Sequence, residues 1–138
     1  MQGLLADVNV QGHVGYLRRL IDSLDLGIVL TELNLRLAVF SDLNLSLDLD
    51  DRTLWNRCQQ YGWVLLTDNR NHDDSSSLEA VLADSWHAGN LPVLTIANKA
   101  RFERDVDYAI QVANDVAELL FGIAHGEYLD LPRIYVPL

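Results

Sequence analysis

Two spacings of apolar residues alternate along the chain: short unbroken runs, and longer stripes that repeat every three or four positions. Residues 4–10 open with an apolar run and turn polar at Asp7 and Asn9, which predicts a short buried strand with its polar residues toward its C-terminal end. Val14, Leu17, Ile21 and Leu24 then recur at helical spacing, with Arg18, Arg19 and Asp22 on the other face. Between residues 26 and 47 leucine is so frequent that spacing leaves open a second helix ending near Asn34 or a longer one. A short strand is expected over residues 37–40.

The second half is more sharply punctuated. Asp51 stands in an N-cap position ahead of Leu54, Trp55, Cys58 and Tyr61, and Gly62 is placed to end that helix in a left-handed conformation. WVLLTDN follows, four apolar residues leading into Thr67, Asp68 and Asn69, the clearest strand in the chain. After the polar loop NRNHDDSS, Ser76 and Glu79 form a capping box for a helix carrying Leu78, Val81 and Leu82. Asn90 and Pro92 lead into a fourth strand, LPVLTIAN. Asn98 caps a long helix beginning near Lys99, whose buried stripe is Phe102, Val106, Ala109, Ala113, Val116 and Leu120. RIYVP reads as a last strand stopped by Pro137. Strands alternating with helices predict an α/β fold: one domain over residues 1–138, three layers α/β/α, with a mostly parallel sheet of about five strands joined by right-handed crossovers.

Composition narrows the setting. With 138 residues, 49% of them hydrophobic, the chain has material for one real core. Its apolar runs fall far short of the roughly 20 residues a membrane-crossing helix needs. The N-terminus lacks a basic segment and a small-residue cleavage site, so a cytoplasmic location is expected. Cys58 is the only cysteine, which excludes an internal disulfide and a thiolate-built zinc site; a buried apolar role is expected for it. Twenty acidic against ten basic residues give a net charge of −10, which repels a phosphate backbone at long range. Any nucleic acid must be held locally, and a bound divalent cation is one way to reverse the field there.

In open parallel sheets, ligands bind beyond the carboxyl ends of the strands. Asp7, Asp68, Asp51 and the loop pair Asp73 and Asp74 are expected near that rim. Carboxylates gathered there repel one another unless some are protonated or a cation neutralises them, and hard oxygen ligands suit Mg2+ or Mn2+. Such an ion activates water for attack on a phosphodiester. Other roles stand beside this one: Asp51 as a helix cap, Asp68 as an acceptor for turn amides, Asp73 and Asp74 as solvated loop charges. Asp7 is hardest to place otherwise, because a charge in an apolar strand is seldom buried without a partner.

LLADVN, DRTLW and VLLTDNRN, taken in order, resemble the PIN-like nuclease superfamily, in its small DUF5615 and Mut7-C-like branch. The resemblance covers most of the chain and implies a ribonuclease-like site in which Asp7, Asp51 and Asp68 are the catalytic, metal-binding carboxylates. Asn9, Asn69 and Asn71 are then polar neighbours, and RNA is the implied substrate. Arg70, Lys99, Arg101 and Arg104 are candidates to meet phosphate along the same edge. The branch usually carries a second acid directly after the first, where this chain has Val8. It places the later acid two residues after the threonine, where this chain has Asn69, with Asp68 one position early. Amides are weaker ligands for a hard cation and do not act as general bases, so a non-catalytic binding or regulatory module is the alternative.

A phospho-receiver-like domain is a third reading, from Asp7, Asp68 and Lys99, and Val8 again occupies the place of its second acid. Dinucleotide, P-loop, serine-hydrolase and zinc-peptidase motifs do not occur. His13, His72, His87 and His125 show no ligand spacing. Trp55, Trp63 and Trp86 are expected as core or interface anchors. A homodimer is expected to draw on the last long helix and on exposed tryptophans.

Overall fold

In a computed structural model, residues 1–68 and 77–138 are described. Five strands, β1 (Gly3–Ala6), β2 (Arg36–Ala38), β3 (Trp63–Thr67), β4 (Val93–Ile96) and β5 (Arg133–Val136), form one sheet in the order β2-β1-β3-β4-β5. Every pairing is parallel. β3 spans its whole apolar run and β5 stops at Pro137 as expected, whereas β1 and β4 are shorter than expected and β2 lies over residues 36–38 instead of 37–40. β1 ends at Ala6 rather than reaching residue 10, because the chain turns at Asp7, whose carbonyl accepts the Val10 amide at 3.0 Å.

Side chains of β1, β3 and β4 are buried on both sides of the sheet, which accounts for unbroken apolar runs instead of alternation. Leu4, Ala6, Val64, Leu66, Leu94 and Ile96 pack against one helical layer: α1 (Val14–Asp22), α2 (Asp25–Glu32), α5 (Lys99–Arg104) and α6 (Val106–Ala124). Leu5, Trp63, Leu65 and Val93 pack against the other, α3 (Asp51–Tyr61) and α4 (Leu78–Ser85). This is the three-layer α/β/α arrangement. α6 supplies ten of the buried positions, the largest contribution from a single helix, and burying a Val- or Leu-sized side chain is worth about 1.5–3 kcal/mol.

The expected single helix from Lys99 is two. Asp105 breaks it: the residue is extended, closes α5, and accepts the Tyr108 amide as the N-cap of α6. The expectation of uniformly right-handed crossovers also fails. The helices between β1 and β2 and those between β4 and β5 cover the same face, although β2 and β5 lie on opposite sides of the sheet. The β4–β5 connection therefore has the hand opposite to the other three.

Trp55 and Trp63 are buried and Trp86 is half-buried, so the tryptophans do not form the exposed apolar surface anticipated for a dimer. Cys58 is buried, and burial pushes its thiol up to about 12, with the negative charge of Asp7 adding to the effect. Among the described residues, no helix is long and apolar enough to cross a membrane.

Candidate functional site

From β1 the chain passes outward to β2, and from β2 it returns across β1 to β3. The two connections cover opposite faces, which makes the C-terminal ends of β1 and β3 the switch point at which such sheets bind ligands. Asp7 stands at that point. Its amide donates to the Leu66 carbonyl at 2.8 Å, which continues the β1–β3 ladder by one residue and sets Asp7 opposite Thr67. It follows Leu5 by two and so faces the α3/α4 layer.

Asp7 is only 6% exposed. One carboxylate oxygen accepts the Val8 amide at 2.7 Å and the other the Thr67 hydroxyl at 2.8 Å. Burial raises its pKa above the ordinary 3.8; these two hydrogen bonds oppose the rise, and the charges of Asp51 and Asp68 add to it. Asp7, Asp51 and Asp68, widely spaced along the chain, are thus within electrostatic reach at one rim.

The other two carboxylates have their own partners. Asp51 is not the N-cap of α3. Asp50 takes that role, accepting the Thr53 amide at 2.7 Å, because its extended backbone aims the carboxylate back along the helix. Asp51 is the first residue of α3, and its side chain accepts the amide of Leu78, the first residue of α4, at 3.0 Å. Asp68 lies 3.4 Å from the Lys99 ammonium. The same ammonium donates to the carbonyl of Asn9 at 3.3 Å. Asn9 is exposed, so its described link to the rim is through its backbone. The substrate-binding candidates Asn69, Arg70 and Asn71, together with His72, Asp73, Asp74 and Ser76, lie outside the described residues. The cap of α4 is Ser77, whose hydroxyl accepts the Ala80 amide, so the expected pairing of Ser76 with Glu79 is displaced by one residue.

Sequence reading missed a polar row across the sheet. Strand register aligns Asp7, Thr67, Thr95 and Tyr135 on one face, and both threonines are fully buried. Arg133, its side chain 6% exposed, donates to the Thr95 hydroxyl at 2.7 Å and pairs with Glu79 at 2.8 Å. The visible clue is that WVLLT and PVLTI, two core strands, each carry one threonine in an otherwise apolar run. On the rim of α5, Glu103 pairs with His13 at 2.6 Å, and His13 in turn tilts against the Phe102 ring. Arg101 is engaged with Asp105 and the Tyr108 ring, while Arg104 is exposed.

The donor set has the chemistry of a hard-cation site: hard oxygens, one of them on a buried acid whose ionisation the neighbouring charges oppose. A cation would reverse that opposition. Among the described residues, no three His, Cys, Asp or Glu side chains are placed to hold one ion together. Magnesium-type ions fit a sparser arrangement, because they keep several waters and take one or two carboxylates plus substrate phosphate. The described grooves lie elsewhere; one of about 580 Å3 runs along the β2 edge past Arg18, Arg36 and Asp42. No known protein family matches the chain, and comparison with curated proteins and with solved structures found no match.

Proposed function

We propose that this protein is a divalent-metal-dependent nuclease of PIN-like type that hydrolyses RNA phosphodiesters at the β1/β3 switch point. The observation that carries the reading is Asp7, a buried acid at the point where the strand order reverses, held against ionisation by burial and by the charges of Asp51 and Asp68. Asp7 and at most one of its neighbours Asp51 and Asp68 would hold the ion, the rest of whose shell would be water and substrate phosphate. Thr67 fixes the orientation of the Asp7 carboxyl through its hydroxyl. When bound, Mg2+ or Mn2+ supplies the positive charge and the acidified water that hydrolysis requires. It also supplies the local attraction for phosphate that a chain of net charge −10 otherwise lacks.

The test is cleavage of single-stranded RNA with Mn2+ against EDTA, in wild type and Asp7→Asn. Metal-dependent cleavage that falls at least a hundredfold in the variant is expected; equal cleavage by the two proteins overturns the reading.

A second reading keeps the metal or ligand site without hydrolysis. The Lys99–Asp68 ion pair favours it, since one of the three carboxylates already has a counter-charge. Saturable Mn2+ binding with no cleavage of any RNA would support this reading. Val8 packs against the α3/α4 core, so the position that a phospho-receiver fills with a second acid is apolar here.

A further inference from the structure

On the α3/α4 face a cavity of about 280 Å3 lies between the sheet, α3 and the segment that joins β2 to α3. Its sheet wall is Leu5 of β1 and Trp63, the first residue of β3, so it sits toward the end of the strands away from the Asp7 rim. Cys58 closes it from α3, and Leu43 and Leu45 close it from the joining segment. This interior is apolar: burial keeps the Cys58 thiol protonated.

The mouth has a different character. Arg57 and Tyr61, one helical turn apart on α3, line the cavity and are both exposed. Among the described residues, Arg57 is the one lysine or arginine with no hydrogen bond, ion pair or ring contact. Its guanidinium is uncommitted in a chain with twenty acidic residues.

We infer that this cavity binds a small organic monocarboxylate, its apolar body against Leu5, Leu43, Leu45 and Trp63 and its carboxylate on Arg57. Volume sets the size. An apolar cavity of about 150 Å3 takes one benzene ring, so about 280 Å3 holds a ring with a short side chain. Charge sets the headgroup: one guanidinium fork matches a planar carboxylate with two parallel hydrogen bonds, whereas a phosphate dianion asks for more donors and meets more repulsion from a chain of net charge −10. The negative charge of Asp7 is felt at Cys58, which disfavours an anion inside and turns the carboxylate to the mouth. The inference is independent of the metal-site reading.

Hydrocinnamate, a phenyl ring on a short chain ending in a carboxylate, is the probe, titrated into the full chain and followed by backbone amide chemical shifts. Saturable shifts centred on Leu43, Leu45, Cys58 and Tyr61 are expected, with a Kd on the order of 0.1–1 mM. Arg57→Gln, an exposed helix substitution, is expected to bind about five- to tenfold more weakly. Arg57→Lys keeps the charge without the fork and should fall between the two. Arg104→Gln removes one charge elsewhere and should stay within about twofold of wild type. The uncharged hydrocinnamamide should bind wild type no better than the acid binds Arg57→Gln.

Equal binding of acid and amide by wild type, or an Arg57→Gln variant no weaker than Arg104→Gln, overturns carboxylate recognition. Absence of saturable shifts, or shifts centred on the β2 groove, overturns the site. Concentration-dependent doubling of the mass with shifts at the same residues would mean that a second copy covers the cavity, and overturns it as well.

Discussion

Asp7 concentrates the conflict between stability and chemistry in this molecule. Its folded-state pKa is raised above the ordinary 3.8, chiefly by burial, so the folded protein holds its proton more tightly than the unfolded chain. The stability this confers is fully present below about pH 3.8 and is lost as pH rises through the raised value. At neutral pH the ionised side chain therefore costs stability. Asp7→Asn is expected to melt higher than wild type at pH 7 in EDTA by a few degrees, at about 3–6 °C per kcal/mol for a chain of this size. The gap should close as pH falls toward 3.8 and reverse at pH 7 when Mn2+ is added, because only wild type gains from the ion. Thermal melts across a pH series, with and without Mn2+, check all three parts; a variant less stable than wild type at pH 7 in EDTA contradicts the assignment. Asp84 runs the opposite way. Its bidentate contact with Arg52, at 2.9 and 2.7 Å, holds it down to about 2, so its contribution is present at neutral pH and fades with acid.

At the scale of elements, the rim around Asp7 depends on how helices begin and how closely they approach. Among the described residues, side chains of α3 reach its neighbours: Asp51 the first amide of α4, Arg52 both Asp84 and Ser85, and Gln59 both backbone groups of Leu91 before β4. The Asp51 contact gives that carboxylate a structural duty besides any ligand role. On the opposite face α2 follows α1 so tightly that a Cβ at Gly27 would lie 2.5 Å from the Ile21 carbonyl oxygen, a backbone atom unable to yield by rotation. Gly27→Ala is thus expected to destabilise by about 1–2 kcal/mol, despite the better helix propensity of alanine. Urea unfolding checks it, and an unchanged midpoint would mean that α1 and α2 separate more easily than their packing implies. Because this face lies across the sheet from Asp7, Mn2+ affinity should be unaffected.

At the scale of the whole molecule, net charge decides what can approach. A charge of −10 opposes RNA everywhere except where a cation inverts the field, and at physiological ionic strength that inversion extends only about 8 Å. Retention of a labelled single-stranded RNA is expected with Mn2+ and lost in EDTA, as read by fluorescence anisotropy. Equal affinity in both would place binding on a basic surface away from the carboxylates. The edges of the sheet are also managed at this scale: β2 has three residues, and Arg18 occupies the Leu37 carbonyl at 2.7 Å, which blunts one route to edge-to-edge association.

Wherever local chemistry is decisive, the amino-acid order alone determined the outcome. Five apolar runs gave five strands, Gly62 ended α3 with a positive φ, and Asn98 capped α5, because burial on two faces and cap geometry each leave a short-range signature. Asp7 was legible as a candidate for the same reason, being a charge inside an apolar run. What tertiary structure decided is pairing at a distance. That Asp50 rather than Asp51 caps α3 depends on where the extended backbone turns into the helix, which leaves the Asp51 side chain to reach α4. That Lys99 meets Asp68, and that Thr67 and Thr95 align with Asp7, follows from strand order and register. Those are fixed by how the helical layers cover the sheet, and they pass no short-range pattern back to the sequence.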